Sequence, residues 1–193
     1  MKKAHNATYE LPFFSFDVHK LNQRAAALVG HSEPFDPHVV IIDRPTLASI
    51  WTTIEQPRIE LHPLFNVSWL PVEVMQHVLI HEHIHRAIRP REVEPGKMKA
   101  HPPEFWEMER RLSPHASAAW CWMYLEWGDL LKRDQENECI WVKRGWKKSR
   151  NDRRKFFEKL HRGAGVEPPS ERFTTWEDAL ARSESHRSSE SLM

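Results

Sequence analysis

Apolar residues first recur at helical spacing from Val18, through Leu21, Ala25, Leu28 and Val29, with Asp17 placed as an N-cap and Gly30 as a stop. This pattern predicts a helix over 17–29. Residues 1–16 read as a loose lead-in carrying Phe13, Phe14 and Phe16. The period then shortens. Val39 to Ile42, Ser49 to Ile54 and Arg58 to His62 are β-branched or alternating, and Pro37, Pro45, Pro57 and Pro63 separate them. Three short strands in a meander-like sheet are expected. Helical spacing returns with Val74, Met75, Val78 and Leu79, between Pro71 in a first-turn position and Pro90, which disfavours helix at Arg89. The second helix is therefore set at 71–88. Residues 89–100 are charged, hold Pro90, Pro95 and Gly96, and read as a surface loop. Pro102 and Pro103 open a helix through Leu112, and Ser113-Pro114 opens another to about Lys132. Trp106, Trp120, Trp122 and Trp127 on these helices are expected in the core.

Ile140-Trp141-Val142 suggests one more short strand. Beyond Gly163 the chain is rich in Pro, Ser and Glu, with a short helix expected at Trp176 to Ala181 and a disordered polar tail from Ser183. The order of elements predicts an α+β fold: a helix, a small three-stranded mostly antiparallel sheet, a second helix and further C-terminal helices. A lead-in over 1–16, a body over 17–138, a basic aromatic segment over 139–162 and a flexible polar tail over 163–193 partition the chain.

Composition agrees with one globular domain: 193 residues, 40% hydrophobic and 28% charged. The net charge of +1 excludes a polyacid and a uniformly basic nucleic-acid binder. It conceals a local imbalance, because Lys143 to Lys155 carries eight Lys and Arg against Asp152 alone, leaving 20 basic and 26 acidic residues elsewhere. The longest uncharged apolar stretch beside a helix, Ala116 to Leu125, is 10 residues. A membrane-spanning helix needs roughly 20, so no membrane association is expected. The first residues lack the apolar run of an export signal, and Cys121 and Cys139 match neither a disulfide framework nor a Cys-x-x-Cys knuckle. A reducing, cytoplasmic location is the expectation.

The 13 histidines are in excess, and their positions matter more than their number. The 71–88 helix contains His77-Val78-Leu79-Ile80-His81-Glu82-His83-Ile84-His85. His81 and His85, four residues apart, project from one helical face and can share a metal; Glu82 beside them stands where a base for an activated water belongs. A shuffled chain of this composition would contain H-E-x-x-H about one time in ten, so the context has to carry the reading. That context is a helix with proline signals at both ends, and a third histidine, His101, at the start of the next helix. Glu104 or Glu107 could ligate instead. Ile88 and Arg91 stand where the metzincin spacing needs Gly and His, which excludes that class.

The run Ile59-Glu60-Leu61-His62-Pro63-Leu64, the motif from Pro71 to His85, and His101-Pro102-Pro103-Glu104-Phe105-Trp106 together resemble the SprT-like and YgjP-like zinc metallopeptidase families over about residues 17–130. The resemblance implies a minimal zincin-like domain, with Zn2+ held by His81, His85 and His101, Glu82 as catalytic base, and a protein or peptide substrate. Those families usually carry an apolar residue after the glutamate, where this chain has His83, and no cysteine cluster stands for the C-terminal zinc finger of some SprT-like proteins.

Four further residues are candidates to orient the ligands from behind or to line the cleft: His77, His62, Glu104 and His115. His115 and Tyr124 are candidate donors to a tetrahedral intermediate. His83 lies about 200 degrees round the helix from His81 and is expected to be solvated or packed. In the basic segment, Lys143, Arg144, Trp146, Lys147, Lys148, Arg150, Arg153 and Arg154 are candidate nucleic-acid contacts, because cations interleaved with aromatics attract phosphates and stack on bases. Two rival readings accompany the peptidase: a metal-dependent hydrolase of nucleotide phosphoanhydrides, and a nucleic-acid-associated binding protein with a structural or vestigial metal.

Overall fold

The computed structural model describes residues 9–10, 13–31, 33, 35–52, 56–134, 139–165 and 174–190. Helix α1 (Val18–Val29) begins where the Asp17 carboxylate accepts hydrogen bonds from the backbone N–H groups of His19 and Lys20. It ends at Gly30, whose φ of 70° lets its N–H reach the Ala26 carbonyl. Strands β1 (Tyr9–Glu10), β2 (His38–Ile42), β3 (Ala48–Trp51) and β4 (Arg58–Leu61) form one sheet in the order β1-β2-β4-β3.

The fold is α+β, but the sheet is not the expected meander. β4 lies between β2 and β3, pairing parallel with β2 and antiparallel with β3, which leaves β3 at the edge. β1, from the lead-in, adds a fourth strand antiparallel to β2. β3 stops at Trp51, and residues 53–54 of the expected strand lie outside the described residues.

Helix α2 (Val72–Ala87) carries the histidine motif and is buried on nearly all sides. Val74, Met75, Leu79, Ile80 and Ile84 are sealed from solvent. α1 covers one side, while α3 (Pro103–Leu112) and α4 (Ala116–Trp127) cover another. Its histidines therefore sit in a rigid low-dielectric frame. Between α2 and α3 the expected loop is a hairpin, β5 (Arg91–Glu94) with β6 (Lys97–Lys99), turned at Gly96 with φ 79°. All of β5 is exposed.

α4 ends at Trp127, earlier than expected, because the chain tightens into a 3-10 turn (Gly128–Leu130) and enters the hairpin β7 (Leu131–Asp134) and β8 (Cys139–Val142). This hairpin is fastened to the segment before β3: the Val142 N–H donates to the Pro45 carbonyl at 2.6 Å, and Thr46 bridges Trp141. The basic segment forms α5 (Trp146–Ala164), anchored at its start by buried Trp146. The last described element, α6 (Trp176–Glu190), is a 15-residue helix packed on α4, with Ala179 fully buried. The helix expected at Trp176 to Ala181 is its first part, and it continues to Glu190 where a disordered tail was expected from Ser183. Thr175 caps it, its hydroxyl accepting from the Asp178 N–H at 3.0 Å.

No helix among the described residues is long and apolar enough to cross a membrane.

Candidate metal centre

The i, i+4 spacing on α2 places the His81 and His85 rings 4.9 Å apart, centroid to centroid. His101, just ahead of α3, folds back against both. Its Nε2 lies 3.2 Å from His81 Nε2 and 3.1 Å from His85 Nε2. Three imidazoles thus aim their Nε2 atoms at one point. Tetrahedral ligands about 2.0–2.1 Å from a zinc ion stand about 3.3 Å from one another, so the spacing fits a shared ion. Phe105 presses on all three rings at 4.6–4.8 Å and Trp106 lies tilted against His101 at 5.0 Å, so packing holds the geometry.

The protonation states agree with ligation. Burial pushes His81 down to about 3 and His85 to about 2, which keeps both neutral near pH 7, with the repulsion of neighbouring histidines adding to it. His81 Nδ1 lies 2.6 Å from Glu109 Oε1. With a carboxylate accepting there, Nδ1 carries the proton and Nε2 is left with its lone pair. Glu109 itself is buried on α3, and burial raises its pKa while charges on His77 and His101 oppose the rise.

Glu82 lies under the same cavity. It is 3% exposed, and its Oε2 has no hydrogen-bond partner among the described residues. Burial raises it to about 8. An orphaned, desolvated carboxyl beside three converging histidines is a group that a nearby cation would ionise. The donor set and Glu82 together fit a zinc site with an open position.

A cavity of about 610 Å3 opens over these residues. Its walls come from α2, from Trp106 of α3, from Trp120, Met123 and Tyr124 of α4, from Thr46 to Ala48 at the sheet edge, and from the β7–β8 hairpin. Trp106 and Trp120 are thus cavity walls, whereas Trp122 and Trp127 are core, as expected. Tyr124 stands on the wall where a donor could be used.

Other candidates separate. His77 lies one turn before His81, lines the cavity, and its Nδ1 pairs with Ser113 Oγ at 2.9 Å. Glu104 and Glu107 are exposed and do not join the histidine cluster, because they face away from Phe105 on α3. His62 does not line the cleft. Its Nδ1 accepts from the Leu64 N–H at 3.1 Å, capping a 3-10 turn, and its ring packs on Trp146 at 4.7 Å. His115 is also outside the cavity, against Trp176 at 5.8 Å. His83 is fully buried, with Nε2 2.9 Å from Asn22 Oδ1 and Nδ1 2.9 Å from His31 Nε2. It fastens the back of α2 to α1.

In the basic segment, Trp146 is a core anchor rather than a stacking surface. Its indole N–H donates to Asp43 Oδ1 at 3.3 Å. Lys143 donates to the Asp129 carbonyl, Lys147 pairs with Asp43, Arg153 with Asp129 and Arg154 with Glu158. Arg144 and Lys148 are exposed and Arg150 is half-buried.

Glu109 is the site residue that sequence reasoning missed. The signal was its place four residues after Phe105, on the one buried face of α3. No family model, curated protein or solved structure matches the chain.

Proposed function

We propose that this protein is a zinc-dependent metallopeptidase that hydrolyses peptide bonds. The observation that carries the reading is the convergence of the His81, His85 and His101 Nε2 atoms beside the orphaned Oε2 of Glu82. A purely structural site has no use for a buried base. Zinc bound by the three histidines would polarise the scissile carbonyl and acidify a water at its open position.

The remaining work belongs to the chain. His81 is held in the ligating tautomer by Glu109, and Phe105 fixes the ring planes. Glu82 takes the proton of the attacking water and delivers it to the leaving amine, so that hydroxyl adds to the acyl carbon as the C–N bond breaks. The aromatic walls exclude competing water and receive the substrate side chains. Ala48 brings the edge strand β3 to the cavity, so an extended peptide can pair with that edge.

Glu82→Gln should retain one zinc per chain by elemental analysis and lose about 10²–10⁴-fold in turnover of a casein-like substrate. His81→Ala should lose the metal. Undiminished turnover by Glu82→Gln, or a wild-type protein that takes up no zinc, would refute the assignment.

A further inference from the structure

Histidines aside, the cavity lining carries formal charge at two of the described residues, Glu82 and Arg133. The first has a role in the proposed reaction. The second has none. Arg133 pairs across the β7–β8 hairpin with Ile140, and Leu131 pairs with Val142. Alternation puts these four on one face of the hairpin, and because Leu131 and Val142 are buried in the core, that face looks toward the body. Arg133 therefore stands over the cavity by register. The wall holding it is stiff, since the Val142–Pro45 hydrogen bond and the Thr46–Trp141 bridge pin the hairpin beside β3.

Nearby cations are used differently. Lys143, Lys147 and Arg153 are each tied to Asp43 or to Asp129. Among the described residues no carboxylate pairs with the Arg133 guanidinium. The cavity lining is otherwise largely apolar and aromatic, with Ile140, Trp106 and Trp120 among its residues. A guanidinium at the rim of such a wall offers a planar two-pronged donor whose natural complement is a carboxylate.

We propose that Arg133 is the specificity residue of this cavity: it binds a carboxylate of the peptide substrate while a neighbouring bulky apolar side chain packs against Trp106 and Trp120. The assignment rests on the peptidase reading for its substrate class, but its binding step needs no turnover. Hydrolysis of such a peptide adds water across one C–N bond and frees the carboxylate-bearing fragment with a new amine. The carboxylate can be a chain's C-terminus or an Asp or Glu side chain, and both present the same chemistry.

The experiment uses three N-acetylated, fluorescein-labelled peptides that share a Trp or Leu and differ at the end: a free C-terminal acid, its amide, and the amide with Glu beside the apolar residue. Binding by anisotropy to the full chain without added zinc is measured first, and cleavage with zinc second. A peptide with a carboxylate should bind tenfold or more tighter than the plain amide. Arg133→Ala should remove that preference, Arg133→Lys should restore part of it, and Arg133→Glu should reverse it. An unchanged melting temperature would show that these exposed-site variants fold. Preference for the free acid alone identifies a C-terminus as the source, and equal preference for internal Glu identifies a side chain. Equal affinity for all three peptides, or a preference that survives Arg133→Ala, overturns the inference. Carboxylate-selective binding without cleavage leaves Arg133 assigned and refutes the peptidase reading. Cleavage without carboxylate preference does the reverse.

Discussion

Within a metal-site side chain, the decisive property is which nitrogen carries the proton. His81 can ligate through Nε2 only while Nδ1 is protonated, and Glu109, 2.6 Å away, is what holds the proton there. Removing that carboxylate leaves the ring free to change tautomer and rotate. Glu109→Ala should therefore weaken zinc binding about 10–100-fold, measured by competition with a chelator of known affinity, with the fold retained. Affinity equal to wild type would mean that Phe105 alone fixes the ring. Glu104→Ala, at an exposed position on the same helix, is the control expected to change nothing.

Elements show where the sequence was legible and where it was not. α1, α2 and α3 could be read because period, caps and prolines agreed; Asp17 and Gly30 cap α1 as their side chain and φ require. His81 and His85 followed from the same spacing, whereas His101 stood beside Glu104 and Glu107 as a candidate and was singled out only by the resemblance. β5–β6 escaped because all of β5 is exposed, so it shows no apolar alternation, and only the positive φ of Gly96 marks the turn. The parallel β2–β4 pairing is a non-local choice that no periodicity encodes. α6 was read only as far as Ala181; its continuation to Glu190 escaped because that stretch is polar and the hold on α4 comes through a few residues such as Ala179. α5 was read by charge, but its anchor is Trp146, against His62 and Asp43. Trp146→Ala should cost about 3–5 kcal/mol, seen as a lower urea midpoint. Trp146→Phe should recover most of the packing while losing the indole hydrogen bond. If Trp146→Ala is neutral, α5 is held by its ion pairs instead.

Across the whole molecule, the buried histidines couple stability to pH, and His62 does so away from the metal centre. Burial lowers it to about 4, with the Asp43 charge opposing the shift, against an ordinary value of 6.5. Between those two values the unfolded chain binds a proton that the folded chain refuses. Stability therefore rises with pH through this window: the contribution is fully present above 6.5 and is lost progressively as pH falls toward 4. For one such group the loss between pH 7.5 and pH 5 is on the order of 2 kcal/mol. His77, also lowered to about 4 by burial, acts in the same direction, and so does His83, whose Asn22 and His31 contacts join α2 to α1. Glu82, raised by burial to about 8, acts in the opposite sense in the zinc-free protein, but the lowered histidines outnumber it, so acid unfolding should begin at mildly acidic pH. Urea titrations at pH 7.5, 6.0 and 5.0 should give a falling midpoint at nearly constant m-value. His62→Gln should flatten that fall, because glutamine does not titrate, even if it is less stable at pH 7.5 for want of the turn cap. A midpoint independent of pH, or a His62→Gln series parallel to wild type, would show that the histidine is not held neutral in the fold.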